Sequence, residues 1–290
     1  MMTIDVALAD GDELGEGPVW DAANDRLLRV DISCGRILSL DLATGEQGVV
    51  HEADAPIGFA IPRRTGGVVA GVGRSVVLLS DDGGEEVLAS LEPDRIENRL
   101  NDARCDSAGR LWVGSLNLRR EPGTAALYCV APDGEVLHRV PGATISNGKD
   151  WNGAGDRLYY ADSLTQRIDV FDVDVETGTL TDRRRFAEIA AEDGLPDGIV
   201  VDAEEGVWVA LFGGGALRRY DADGALDEVV TLPTSNPTSM AFGGPALEDL
   251  YVTTARHLLT TEQRDAQPLA GAVLHVRPGV SGRPAHRFGG

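Results

Sequence analysis

Cysteine is scarce in this chain of 290 residues. Cys34, Cys105 and Cys129 are odd in number and share neither a CxxC nor a metal-ligand spacing, which argues against a disulfide framework and for reduced, packed thiols. A nucleophilic cysteine would need a neighbouring base that the spacing does not supply. The five histidines, His51, His138, His257, His275 and His286, form no HxH and no i,i+4 pair, so no His-centred site is expected. Basic charge is short too: 26 Lys and Arg against 47 Asp and Glu give a net charge of −21. That balance speaks against nucleic acid or an anionic membrane as partner, since both are bound through basic patches; solubility is its plain reading. No run approaches the roughly 20 apolar residues of a membrane span. The start, MMTIDVALADGDE, lacks a basic n-region and a long apolar h-region, so a cytoplasmic location is expected. Helical periodicity of useful length, linkers, low-complexity tracts, GxSxG, P-loop and dinucleotide fingerprints are all missing; GGG at Gly213 reads as a hairpin turn.

What the chain has instead is a repeat. LPDGIVVDAEEGVWVA, from Leu195 to Ala210, joins a Pro-Asp-Gly turn, a short apolar strand, a polar tight turn and a second β-rich run. The layout recurs in GEGPVWDAANDRLLRV at Gly15, RLNDARCDSAGRLWVGS at Arg99 and SNGKDWNGAGDRLYYADS at Ser146, and more loosely at Pro56 and Pro237. The residues ending each first strand, Asp21, Pro62, Asp106, Asn152, Asp202 and Gly243, are spaced about 41–50 residues apart, the period of a propeller blade. The chain is therefore expected to be all-β, a single domain over residues 1–290, folded as a six-bladed β-propeller of four-stranded antiparallel blades around a central channel. An apolar fraction of 42% supplies its core.

Strands are expected at 18–20, 27–31, 36–41 and 48–52 in blade one and from 57 to about 91 in blade two. Blade three should hold 101–105, 110–115, 126–130 and 135–140, with the insertion NLRREPGT over one face. Blade four shows clean alternation over 168–175, and blade six is expected over 239–288 with a polar loop, 256–268, placed to act as a lid. Ile4 to Leu8 reads as a strand left over from the last blade, closing the ring and removing an exposed edge. Trp20, Trp112, Trp151 and Trp208 fall on strands and read as packing.

Five residues before each strand end stand Glu16, Ile57, Asn101, Asn147, Asp197 and Thr238, equivalent positions whose loops crowd one end of the axis. Two carboxylates and two carboxamides so gathered offer oxygen only, which suits a hard divalent cation: Ca²⁺ first, then Mg²⁺ or Mn²⁺, with Zn²⁺ less favoured without His or Cys. The blander reading is that Asp197-Gly198 and Asn147-Gly148 are merely turn residues. Arg99 lies two residues before Asn101 and faces the same way on an extended segment, either balancing charge or holding a polyhydroxylated or anionic substrate.

GEGPVWD at Gly15, RLNDARCDSAGRLWVGS at Arg99, ISNGKDWN at Ile145, DSLTQRIDVFDVDVETG at Asp162, LPDGIVVDAEEGVWVA at Leu195 and AGAVLHV at Ala270 together resemble the regucalcin (senescence marker protein) and gluconolactonase family, in order and over almost the whole chain. The resemblance implies a six-bladed propeller that binds one divalent metal on the channel axis and opens sugar lactones. Motif by motif it places Glu16, Asn147 and Asp197 on the metal ligands and Arg99 and Asn101 on substrate contacts. Its further acidic contact falls near Glu121, in an insertion that differs here in length and composition.

The expected activity is hydrolysis of a small-molecule sugar lactone to the aldonic acid, with Asp197 as candidate general base or as the group that orients a metal-activated water. A metal-dependent esterase or phosphotriesterase and a non-catalytic Ca²⁺-binding propeller remain as rivals, since fold alone does not separate them. The chain is expected to work as a monomer or weak homo-oligomer.

Overall fold

In the computed structural model, which describes residues 3–9 and 11–290, the Asp that closes a repeat is a hairpin lock. Asp202 Oδ1 accepts the backbone N–H groups of Glu204 and Gly206, and its Oδ2 accepts Trp208 Nε1 at 2.9 Å and Arg219 Nε at 2.7 Å. Asp106 does the same for Ala108, Arg110 and Trp112. One carboxylate thus satisfies a tight turn and anchors the tryptophan six residues on, which is why the repeat reads Asp…Gly…Trp. Truncating Asp202 would strand the buried Gly206 and Trp208 donors at about 1–3 kcal/mol each.

Six four-stranded antiparallel sheets follow from the repeat. The N-terminal strand β1 is Ile4–Leu8. Blade one is β2 (Gly15–Asp21), β3 (Arg26–Asp31), β4 (Arg36–Leu40) and β5 (Gln47–Glu52); blade two is β6 (Ile57–Pro62), β7 (Val68–Val72), β8 (Ser75–Leu79) and β9 (Glu85–Ser90). Blade three is β10 (Asn98–Cys105), β11 (Leu111–Asn117), β12 (Ala125–Val130) and β13 (Val136–Ala143); blade four is β14 (Ser146–Trp151), β15 (Arg157–Asp162), β16 (Arg167–Val173) and β17 (Leu180–Glu188). Blade five is β18 (Leu195–Val201), β19 (Val207–Phe212), β20 (Ala216–Tyr220) and β21 (Leu226–Thr231). Blade six takes β22 (Pro237–Gly243), β23 (Asp249–Thr254) and β24 (Val273–Val276) from the C-terminal region and β1 as its outer strand, with Ile4 opposite Val276. The ring is closed by its first strand, as the alternation of Ile4 to Leu8 suggests.

Innermost strands are buried on both faces, so β6 (IGFAIP) and β22 (PTSMAFG) are buried throughout, while outer strands such as β5 and β9 are largely exposed. Apolar side chains interleave between neighbouring blades; Phe59, Val69, Leu111, Val113 and Tyr128 form one such cluster. The four tryptophans are buried at 8% exposure or less.

Each inner strand carries a register shift beside the aligned position: between Glu16 and Val19, Ile57 and Ala60, Leu100 and Ala103, Ser146 and Lys149, Pro196 and Ile199, and Pro237 and Ser239. A bulge repeated around a ring re-aims one side chain per blade toward the axis. Glycine allows the inner strands to touch there. A Cβ on Gly148 would stand 2.3 Å from the Asp197 carbonyl oxygen, and one on Gly198 would stand 2.6 Å from Ser239 Cα.

Two features depart from the expectation. Strand pairing in blade six stops at Val276, and the following segment crosses the hairpin turns instead: Ala203 donates to Ser281 O, Arg283 to Glu205, Arg287 to Asp21, Phe288 to Pro62 O and Gly289 to Gly109 O. Phe288 is fully buried and His286 lines a small pocket with Asp102 and Arg104, so this tail lies across the turn end of the blades. The polar loop 256–268 holds a short helix, α1 (Thr261–Ala266), started by a capping box between Thr260 and Gln263. Arg264 fastens it to Glu13 through two bonds of 3.0 and 2.7 Å. Among the described residues no helix is long and apolar enough to cross a membrane.

Candidate functional site at the mouth of the channel

The bulges deliver Glu16, Asn101, Asn147 and Asp197 to one place, the floor of a cavity of about 320 Å³ at the end opposite the tail. Arg99 joins them from the strand of Asn101: its Nη1 donates to Asn101 Oδ1 at 2.7 Å and to Leu100 O at 2.9 Å. Asn101 Nδ2 donates to Asn147 Oδ1 at 3.3 Å, and Asn147 Nδ2 donates to Ser163 Oγ at 3.1 Å. The other two equivalent positions serve the scaffold. Ile57 is packed in the core, and Thr238 Oγ1 donates to Gly15 O at 2.6 Å, steadying the strand of Glu16.

The electrostatics of the floor are unbalanced. Glu16 and Asp197 are each 6% exposed. Burial, followed by the charge of Asp102, pushes the Glu16 carboxyl up to about 7; burial, followed by the charge of Glu16, holds Asp197 well above the usual carboxylate range. Arg99 is lowered by burial to about 10, an effect that the charges of Glu16 and Asp197 oppose. The Asp197 carboxyl interacts with the side chains of Glu16 and Asn147, yet its Oδ1 is buried without a hydrogen-bond partner. Among the described residues no three His, Cys, Asp or Glu side chains cluster as a metal site; the donor set is two carboxylates completed by carboxamide oxygens. Such a set, with one oxygen still unsatisfied, fits a hard divalent cation.

Glu121 stands elsewhere. It is exposed and outside the cavity lining, because Asn117 Oδ1 accepts the backbone N–H of both Arg119 and Glu121 and the resulting turn offers Leu118 and Arg120 to the cavity. Sequence reasoning missed His257 and Ser163, both in the lining. His257 sits on the lid-like loop and is held below the ordinary histidine value by burial; Ser163 Oγ accepts from Asn147, and its backbone N–H donates to Ile145 O. Cys105 and Cys129 are buried thiols as expected, whereas Cys34 is exposed.

Known proteins resemble this chain in sequence and in fold. The family described as "SMP-30/Gluconolactonase/LRE-like region" matches residues 14–256. Regucalcin of Macaca fascicularis is 35% identical over 99% of this chain and 98% of its own. The crystal structure of regucalcin from Agrobacterium tumefaciens, a calcium-binding protein, superposes with a TM-score of 0.94 at 29% identity, covering 99% of this chain and 97% of the other. A luciferin-regenerating enzyme follows with a TM-score of 0.93 at 28% identity over the whole of both chains. With the match running from the residue before β2 to the start of the loop over the cavity, this six-bladed propeller belongs to the SMP-30/gluconolactonase/LRE-like family.

Proposed function

We propose that the protein hydrolyses lactones to hydroxy acids with one divalent cation, Ca²⁺ in first place and Mg²⁺, Mn²⁺ or Zn²⁺ as alternatives. The observation that carries this reading is the buried, unpartnered Asp197 Oδ1 facing Glu16 and Asn147. Two buried carboxyls need a cation or a proton between them, and an all-oxygen set favours the hard cation. The similarity to a calcium-binding regucalcin supports the same choice. Glu16, Asn147 and Asp197 would hold the ion, which supplies Lewis acidity at the lactone carbonyl and lowers the pKa of a nearby water. Asp197 is assigned as general base for the attacking water. Arg99, charged and fixed by its bond to Asn101, presents its remaining N–H groups to the ring ester, and Asn101 holds Arg99 in that pose.

Sugar lactones are the substrate class that the gluconolactonase part of the family description supplies. We place the activity in the cytoplasm, on a small molecule, with the chain acting alone or as a weak homo-oligomer; the buried free thiols Cys105 and Cys129 suit a reducing compartment. The test is a panel of aldonolactones and aryl esters assayed with dialysed protein and each added metal. Metal-dependent lactone opening supports the reading. Metal retention without any turnover points to a non-catalytic Ca²⁺-binding propeller. The aliphatic cavity walls favour one second reading, an esterase using the same floor, which aryl-ester turnover above lactone turnover would establish.

A further inference from the structure

We propose that the preferred substrate is a lactone bearing an apolar substituent, a γ- or δ-alkyl lactone, in place of a fully hydroxylated sugar lactone; this narrows the lactonase reading above and rests on it. On an extended strand the residue two before each floor residue faces the same way. Four of those positions line the cavity: Leu14, Arg99, Ile145 and Leu195. Three are aliphatic and one is cationic. The ends of second strands add Leu116 and Phe212. Leu118 and Leu258 also line the cavity yet are each 59% exposed, so two large aliphatic side chains face water where the core gains nothing from them.

Several of the polar groups beside these walls are already bound to one another. Arg99 Nη1 is bound to Asn101 and Leu100, Asn101 Nδ2 to Ser146 O and Asn147, and Asn147 Nδ2 to Ser163. A polyhydroxylated ring would press several hydroxyls against aliphatic carbon, and each one buried without a partner weakens binding about tenfold or more. An alkyl chain on the ring meets the same walls favourably. A cavity of about 320 Å³ is at the size that takes a small ring with a short chain.

The experiment compares kcat/KM, with Ca²⁺ present, for γ-butyrolactone, γ-hexalactone, γ-octalactone and glucono-1,5-lactone. The expected series rises roughly fourfold per methylene buried, with γ-octalactone above gluconolactone by about tenfold or more. Leu258→Asn, whose side chain tolerates the φ of 66° found there, and Phe212→Ser should flatten the slope. Gluconolactone outrunning the alkyl series, or a flat series, overturns the inference while leaving the lactonase reading intact. If no lactone is opened, that reading fails and calorimetry with 2-piperidinone and its 6-butyl derivative decides the pocket chemistry: tighter binding of the butyl lactam supports the inference, and equal binding overturns it.

Discussion

Lys149, the only lysine in the sequence, buries its ammonium 3.0 Å from Asp102 Oδ2 and 2.7 Å from the Asp102 carbonyl oxygen. The pair joins the residue after Asn101 to the residue two beyond Asn147, so it ties two inner strands together directly behind the floor. Asp102 is also one of the charges that raise Glu16 and Asp197, and Lys149 offsets it. Lys149→Met should leave an unpaired buried carboxylate and lower stability by about 3 kcal/mol. The double variant Asp102→Asn/Lys149→Met should regain most of that. Denaturant unfolding of the three proteins checks the coupling; a single variant as stable as the double one would show that the two charges do not act as a pair.

Asp197→Asn is nearly isosteric and should leave the fold intact while removing a ligand charge and the assigned base together. Lactone turnover is expected to fall at least 10²-fold, the lower end for one acid-base group, and Ca²⁺ affinity should fall with it. Turnover above about a tenth of the parent would take Asp197 out of the chemistry.

Arg99→Ala should lower kcat/KM about 10- to 100-fold, the range for losing a charge-assisted donor, with a smaller effect on metal affinity. Lys should rescue little, because only the planar fork can hold Asn101 and a ring ester at once. Tighter metal binding by the Ala variant with near-normal lactone opening would reduce Arg99 to a balancing charge.

Proton linkage on the floor gives a stability test that does not depend on turnover. Glu16 and Asp197 both have folded-state values raised above the unfolded ones. Their contribution is therefore fully present below the unfolded carboxylate range and lost as pH rises through about 7 and beyond. In chelator, Tm should fall by several degrees between pH 5.5 and 8 relative to Glu16→Gln measured alongside, and Ca²⁺ should abolish the difference. A parallel course for parent and variant would mean that Glu16 does not titrate in this window.

The propeller could be read from the chain because its cause is local. Every inner strand carries a bulge and four of the six end at or just before an Asp or Asn, so a period of about 41–50 residues carries both the fold and the register that gathers Glu16, Asn101, Asn147 and Asp197. What escaped has no repeat behind it. The segment after Val276 finds its partners in hairpin turns of other blades, the Lys149–Asp102 pair spans 47 residues between different strands, and His257 reaches the cavity from a loop found in one blade alone. The aliphatic walls lie in the same register as Arg99, two positions before the floor residues, where an apolar side chain at a strand entry reads in sequence as core. The Thr260 to Gln263 capping box likewise marked α1, which is too short to show helical periodicity.

The central claim, that a cation held by Glu16, Asn147 and Asp197 is required for lactone opening, is tested most directly by one add-back titration. Protein dialysed exhaustively against chelator is assayed for lactone hydrolysis before and after stepwise addition of Ca²⁺, with bound metal counted by elemental analysis. The expected result is an inactive, folded protein whose activity returns in proportion to one bound ion per chain. Full activity in protein shown to contain no metal would contradict the account.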